Sequence, residues 1–142
     1  MENVIRRVVE HWQKQEIELS PPVSRQELEI VWQRLGRRLS SDVVELYGAV
    51  GGFADWIFDN CCWSFWPISE LMIKNQEYKS EGVLFSDFGI VAWGYSFRYE
   101  EPTRSSVWYN PLFGEDSEQL TSSVEVFLIR YLDDPKSVML RP

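Results

Sequence analysis

Residues 91–100 read Val-Ala-Trp-Gly-Tyr-Ser-Phe-Arg-Tyr-Glu. Val91, Trp93, Tyr95, Phe97 and Tyr99 alternate with Ala92, Gly94, Ser96, Arg98 and Glu100, the period of two that sends successive side chains to opposite faces of a β-strand. One face is nearly all aromatic, so the segment predicts a strand that must be covered by other apolar elements. Downstream, Pro102 breaks the pattern, Val107 to Tyr109 forms a shorter β-prone run, and residues 110–118 make an acidic, turn-rich tip ending in Glu115, Asp116 and Glu118. A last helix is then expected from the Ser122 to Glu125 capping box, with Val124, Phe127, Leu128 and Tyr131 inward and Asp133-Asp134-Pro135 as its stop.

Upstream the period is helical. Val4, Ile5, Val8, Val9 and Trp12 lie on one side of a first helix, opposite Arg6, Arg7, Glu10 and Lys14. Ser20-Pro21-Pro22 stops it. A second helix opens at Ser24 with Glu27 completing a capping box and Val23 placed to staple against Leu28; Leu28, Val31, Trp32 and Leu35 form its stripe, and Gly36 its left-handed end. A third starts at Ser41 or Asp42 and stops at Gly51-Gly52. Between residues 56 and 66, β-prone residues interrupted by Asp59-Asn60 predict a hairpin or a bent strand, and the polar run after Pro67 predicts a short helix or loop around Leu71 and Met72. Helices first, antiparallel strands next and a helix last make the expected class α+β: N-terminal helices, a central antiparallel sheet and a C-terminal helix packed on it.

The chain has 142 residues, 44% of them apolar and 15% aromatic, which is enough for one core without metal or disulfide staples. No apolar run is long enough to span a bilayer, so no membrane partner is expected. Residues 1–13 lack the basic head, apolar run and cleavage site of a signal peptide. The only cysteines, Cys61 and Cys62, are adjacent; a bond between them is strained and nothing else pairs with either, which predicts buried, reduced, metal-free thiols and a cytoplasmic home. The net charge of −8 is uneven. Residues 1–38 hold seven Lys and Arg against six Asp and Glu, and residues 39–142 hold seven against sixteen. That balance disfavours direct nucleic-acid binding and predicts a negative field facing a basic protein.

Chemistry-bearing patterns are sparse. His11 is the sole histidine, which removes multi-histidine metal sites and leaves any triad resting on one helical residue. No GxSxG, HExxH, P-loop or GxGxxG pattern occurs. The pairs Asp55 with Asp59, Glu100 with Glu101, and Asp133 with Asp134 supply the residue types of a glycosidase, but adjacent acids ordinarily just face water. The aromatic row from Trp93 to Tyr99 is of the type that stacks on bases or sugars; with helices to cover it and no basic groove, core is the better reading. No catalytic residue and no cofactor is therefore assigned.

The stretch from Val23 to Phe53 resembles the SUKH superfamily, which includes the fungal Smi/Knr cell-wall-synthesis regulators and many bacterial immunity proteins. The resemblance lies in a capped helix, Leu35-Gly36, the helix start at Leu39-Ser40, and Val50-Gly51-Gly52, with Ser40 and Val50 replacing the family's Pro and Asn. Further on, Phe65-Trp66-Pro67-Ile68 before Ser69-Glu70-Leu71 is similar to the family's strand and short helix. Residues 83–87, the strand after Gly89, Val107-Trp108-Tyr109, and the Phe127-Leu128 pair of the final helix follow in order. The family-like core is then residues 22–134, within one domain over 1–142 in which residues 1–20 add a helix. The resemblance implies a non-catalytic fold whose bacterial members neutralise toxins by binding them. The expected function is thus that of an immunity protein occluding a basic toxin domain, such as a nuclease or deaminase; an intracellular scaffold for cell-wall or signalling proteins, and more remotely a small hydrolase or sugar-binding domain, are the alternatives. Candidate partner-binding residues are Asp55, Asp59, Asp87, Glu100, Glu101, Glu115, Asp116 and Glu118, at turns, strand ends and the acidic tip.

Overall fold

The computed structural model describes residues 1–54, 57–89, 93–111 and 116–139. Within them the α+β expectation is met. Helices α1 (Glu2–Lys14), α2 (Arg25–Arg34) and α3 (Ser41–Ala49) precede strand β1 (Trp63–Phe65) and helix α4 (Ile68–Glu77). Then come β2 (Val83–Phe88), β3 (Trp93–Glu101), β4 (Arg104–Pro111), β5 (Glu118–Thr121), α5 (Val124–Asp133) and a short α6 (Lys136–Met139). The strands form one antiparallel sheet in the order β1-β2-β3-β4-β5, each paired with its neighbour in sequence.

Local chemistry sets the helix boundaries. Ser24 and Glu27 make both bonds of the capping box at the start of α2, and Gly36, at φ 69°, closes its far end in the left-handed region that favours glycine. α5 begins one residue later than the sequence suggests. Ser123, not Ser122, is the N-cap and accepts from the Val126 amide, so Glu125 is not part of a capping box. The turn from helices to sheet is made at Gly51-Gly52, where backbone bonds tie Ser20 to both glycines and Phe53 to Phe65.

The core lies between the sheet and the helices α1, α3 and α5. Val8, Trp12, Leu28, Val43 and Leu46 from the N-terminal helices meet Trp63, Phe65, Phe85, Tyr95, Phe97, Val107 and Tyr109 from the sheet and Val124, Phe127, Leu128 and Tyr131 from α5. Phe85 stacks on Phe97 with centroids 3.8 Å apart, and Trp12 sits edge-on to Phe53 at 4.9 Å. Tyr95 and Phe97 are buried as the alternation predicts, while Trp93 and Tyr99 are half-buried at the two ends of the strand; Val91 lies outside the described residues. The opposite face of β3 and β4 is also withdrawn from solvent. Ser96, Ser106 and Asn110 are buried there, with Ser96 Oγ donating to Asn110 Oδ1 at 2.8 Å.

The segment before β1 forms no hairpin among its described residues. Trp56 lies outside the described residues; before it Phe53 makes a single bridge to Leu19, and residues 59–62 turn back into β1. Asp59 dictates that turn. β1 is short, which leaves the start of β2 without a strand partner on that side, and the Asn75 side-chain amide of α4 takes the place of one. Its Oδ1 accepts from the Leu84 amide at 2.8 Å and its Nδ2 donates to the Leu84 carbonyl at 2.9 Å.

Candidate protein-binding surface

Of the residues expected to face a partner, Asp59 and Asp87 are instead internal. Asp59 is 8% exposed; its Oδ1 accepts from the Cys61 and Trp63 amides at 2.8 and 2.9 Å, and its Oδ2 from the Tyr131 hydroxyl at 2.5 Å. Tyr131 in turn accepts from Trp12 Nε1 at 2.8 Å, so one carboxylate joins the turn before β1 to α5 and α1. Asp87 is 2% exposed and accepts from Trp66 Nε1 at 2.7 Å. A carboxylate supplied with internal donors is stable out of water, and neither group is presented to a partner. Asp55 and Glu115 lie outside the described residues.

Glu100, Glu101, Asp116 and Glu118 are exposed, at opposite ends of β4. Glu101 pairs with Arg104 in register, and Glu118 with Tyr109, five residues along the strand. That separation is about 17 Å at strand rise, so the acidic tip and the β3–β4 turn are distinct places. Glu100 accepts from Ser106 Oγ at 3.1 Å.

Around Glu101 the fold assembles acids that sequence reading did not connect. A concavity of about 370 Å³ is lined by Asp42 and Glu45 of α3, Glu101 and Thr103 of the β3–β4 turn, and Ser123 and Glu125 at the start of α5, with Arg104 and Met1. Asp42 builds it. Its Oδ1 accepts from Ser40 Oγ and its own helix's Val43 amide at 2.5 and 2.8 Å, and its Oδ2 from the Ser105 amide at 3.1 Å, which clamps the start of α3 to β4. The Ser41 amide, donating to the Pro102 carbonyl at 2.8 Å, adds a second tie. Glu101 and Glu125 keep about half of their side chains in solvent, at 53% and 47%, and Glu45 is exposed. Arg104 reaches Glu101 at 3.7 Å and the Met1 ammonium reaches Glu125 at 3.5 Å; such exposed pairs neutralise the field only in part. The helical spacing of Asp42 and Glu45 was visible in the sequence, but their meeting with Glu101 and Glu125 is a property of the tertiary fold.

Three further arginines lie in a different groove. This second groove is lined by Arg37, Arg38, Arg98, Glu81, Glu100 and the rings of Trp32, Tyr99 and Trp108. Arg98 lies 3.6 Å above the Trp108 ring and pairs with Glu81 at 3.1 Å, and burial lowers its pKa; Arg38 stacks over Tyr99 at 4.3 Å. Trp108 is therefore half-covered by Arg98.

Of the reactive side chains, His11 is held in structural contacts. His11 Nε2 is 2.9 Å from the Gln15 amide nitrogen, with its ring edge-on to Tyr131. Cys61 and Cys62 are both free; Cys61 is half-buried, and burial followed by the charge of Asp59 pushes its thiol up. Cys62 departs from expectation. It is exposed, at φ 66°, because the Asp59 turn needs a left-handed residue there. Among the described residues no three His, Cys, Asp or Glu side chains gather closely enough to hold a metal ion, and no helix is long and apolar enough to cross a membrane. No protein-family model matches the chain, and no curated protein matches it either.

Proposed function

We propose that the chain is a non-catalytic protein-binding domain of the SUKH kind, acting in the cytoplasm as an immunity protein that occludes a basic toxin domain. The observation that carries this reading is the convergence of Glu45, Glu101 and Glu125, from three elements remote in sequence, on one concavity. Backbone positions held on helices and on a clamped turn bring these carboxylates together before any partner arrives, which favours a cationic partner. The fold reading is supported by the order of elements: a capped helix ended by Gly36, α3 ended at Gly51-Gly52, a strand and short helix, two central strands, a later strand, and a last helix burying Phe127 and Leu128. Neutralisation is steric and electrostatic. The acidic surface speeds encounter and covers the cationic groups with which a nuclease or deaminase would hold its substrate, and the chain itself touches no nucleic acid.

Co-expression tests this. A toxin domain, if one is encoded beside this chain, should arrest growth when produced alone in a heterologous bacterium, and co-production of the chain should restore growth with a complex recoverable by affinity purification. Unrelieved growth arrest with no complex would contradict the proposal.

A further inference from the structure

A cleft of about 390 Å³ runs between α1 and α3, lined by Ile5 and Val9 on one wall and Ala49 on the other, with Glu2, Arg6, Glu10, Gln13 and Glu45 around them. Glu45 also lines the acidic concavity, so the two depressions adjoin at that residue. Together their rims carry Glu2, Glu10, Asp42, Glu45, Glu101 and Glu125 against Arg6, Arg104 and the Met1 ammonium. The lining of α1 extends from Glu2 to Gln13, three helical turns or about 16 Å. Ile5 and Val9 stand one turn apart along that wall, and Ala49, exposed at the last position of α3, leaves the opposite wall low enough to admit a side chain. The apolar part of the cleft is short, Val9 and Ala49 over a nearly buried Ile5, and with carboxylates on either side it is complementary to a helix bearing apolar residues at i and i+3 or i+4 and Lys or Arg beside them. The same rim repels anionic lipid and acidic peptides.

We propose that this cleft is the anchor pocket for a cationic amphipathic helix of the protein partner. The inference rests on the reading of the chain as a binder of a basic protein and adds where the apolar contact is made. The acidic concavity attracts and orients the partner, and the cleft between α1 and α3 then holds it by burying one or two of its aliphatic side chains.

The test uses the intact, isotopically labelled chain and two synthetic Leu/Lys peptides of about 18 residues, or five turns. One has its leucines at helical spacing and the other has the same composition scrambled. The amphipathic peptide should bind more tightly than the scrambled one, with amide shift changes concentrated at Val9, Gln13 and Ala49. Ala49→Trp, which fills the cleft, should weaken it by about tenfold or more, the loss expected at an anchor site, while Ala49→Ser stays within about twofold. Glu101→Gln with Glu125→Gln should weaken both peptides alike. Equal affinity for the two peptides, or shift changes away from the cleft, overturns the anchor pocket and leaves the electrostatic reading standing. Failure of both peptides to bind at low salt overturns both. Should Ala49→Trp disturb folding, the shift map on the unmodified chain decides alone.

Discussion

Asp59 shows how one side chain is decided by donors that the local sequence does not contain. Two of its three donors are amides in its own turn, but the third, Tyr131, is 72 residues away. Removing the carboxylate leaves the Tyr131 hydroxyl and the Trp63 amide buried without their acceptor, each at a cost of about 1–3 kcal/mol. Asp59→Ala should therefore lower the unfolding free energy by about 3 kcal/mol in a urea titration, whereas Glu101→Gln, at an exposed side chain, should change it by no more than about 0.5 kcal/mol. Burial also raises the pKa of Tyr47, Tyr95 and Tyr131 above the ordinary 10.0, and the charge of Asp59 adds to the shift at Tyr131. With the folded value above the unfolded one, the unfolded chain loses these protons first. Stability is retained below pH 10 and should fall above it by roughly 1.4 kcal/mol per pH unit for each tyrosine. Tyrosinate absorbance should rise cooperatively with loss of tertiary structure; three tyrosines titrating near 10 in a chain that stays folded would refute the assigned burial.

Gly51 and Gly52 govern how the helices meet the sheet. A Cβ on Gly51 would stand 1.9 Å from the Pro21 carbonyl oxygen, and one on Gly52, at φ 100°, would stand 2.6 Å from that of Trp66. Gly52→Ala should accordingly destabilise by about 2 kcal/mol or more, while Gly36→Ala, with φ 69° but open space around it, should cost about 1 kcal/mol; thermal or urea unfolding separates the two. These features bear on how much could be read in advance. α1, α2, α3 and β3 were legible because caps, apolar stripes and strict alternation act within a few residues. The stretch before β1 is less legible because its described residues lead into a turn held by Asp59, and β-propensity does not distinguish a strand from a buried turn. Exposure of the acids was legible at Glu100, Glu101, Asp116 and Glu118, where strand ends meet solvent. It failed at Asp59 and Asp87, whose internal donors include Tyr131 and Trp66. Asp42, Glu45 and Glu125 were passed over because each is unremarkable on its own helix, and only the packing of α3, the β3–β4 turn and α5 brings them together.

Around a net charge of −8, carboxylates from α1, α3, the β3–β4 turn and α5 line two adjoining depressions, while Arg37, Arg38 and Arg98 share the aromatic groove with Glu81 and Glu100. A predominantly negative surface would orient an approaching basic protein before contact, and its influence fades over the Debye length of about 8 Å at physiological salt. Orientation before contact raises the association rate and leaves dissociation to the contacts formed afterwards. The most direct measurement is the association rate of the chain with a basic protein that co-purifies with it, as a function of salt, for the native sequence and for Glu45→Gln, Glu101→Gln, Glu125→Gln combined. The rate should fall steeply from low to physiological salt, the triple variant should start slower and depend less on salt, and neutralising Asp116 and Glu118 at the far end of β4 should change it less. An association rate indifferent both to salt and to the triple substitution would contradict the assignment of this acidic surface as the site of partner recognition.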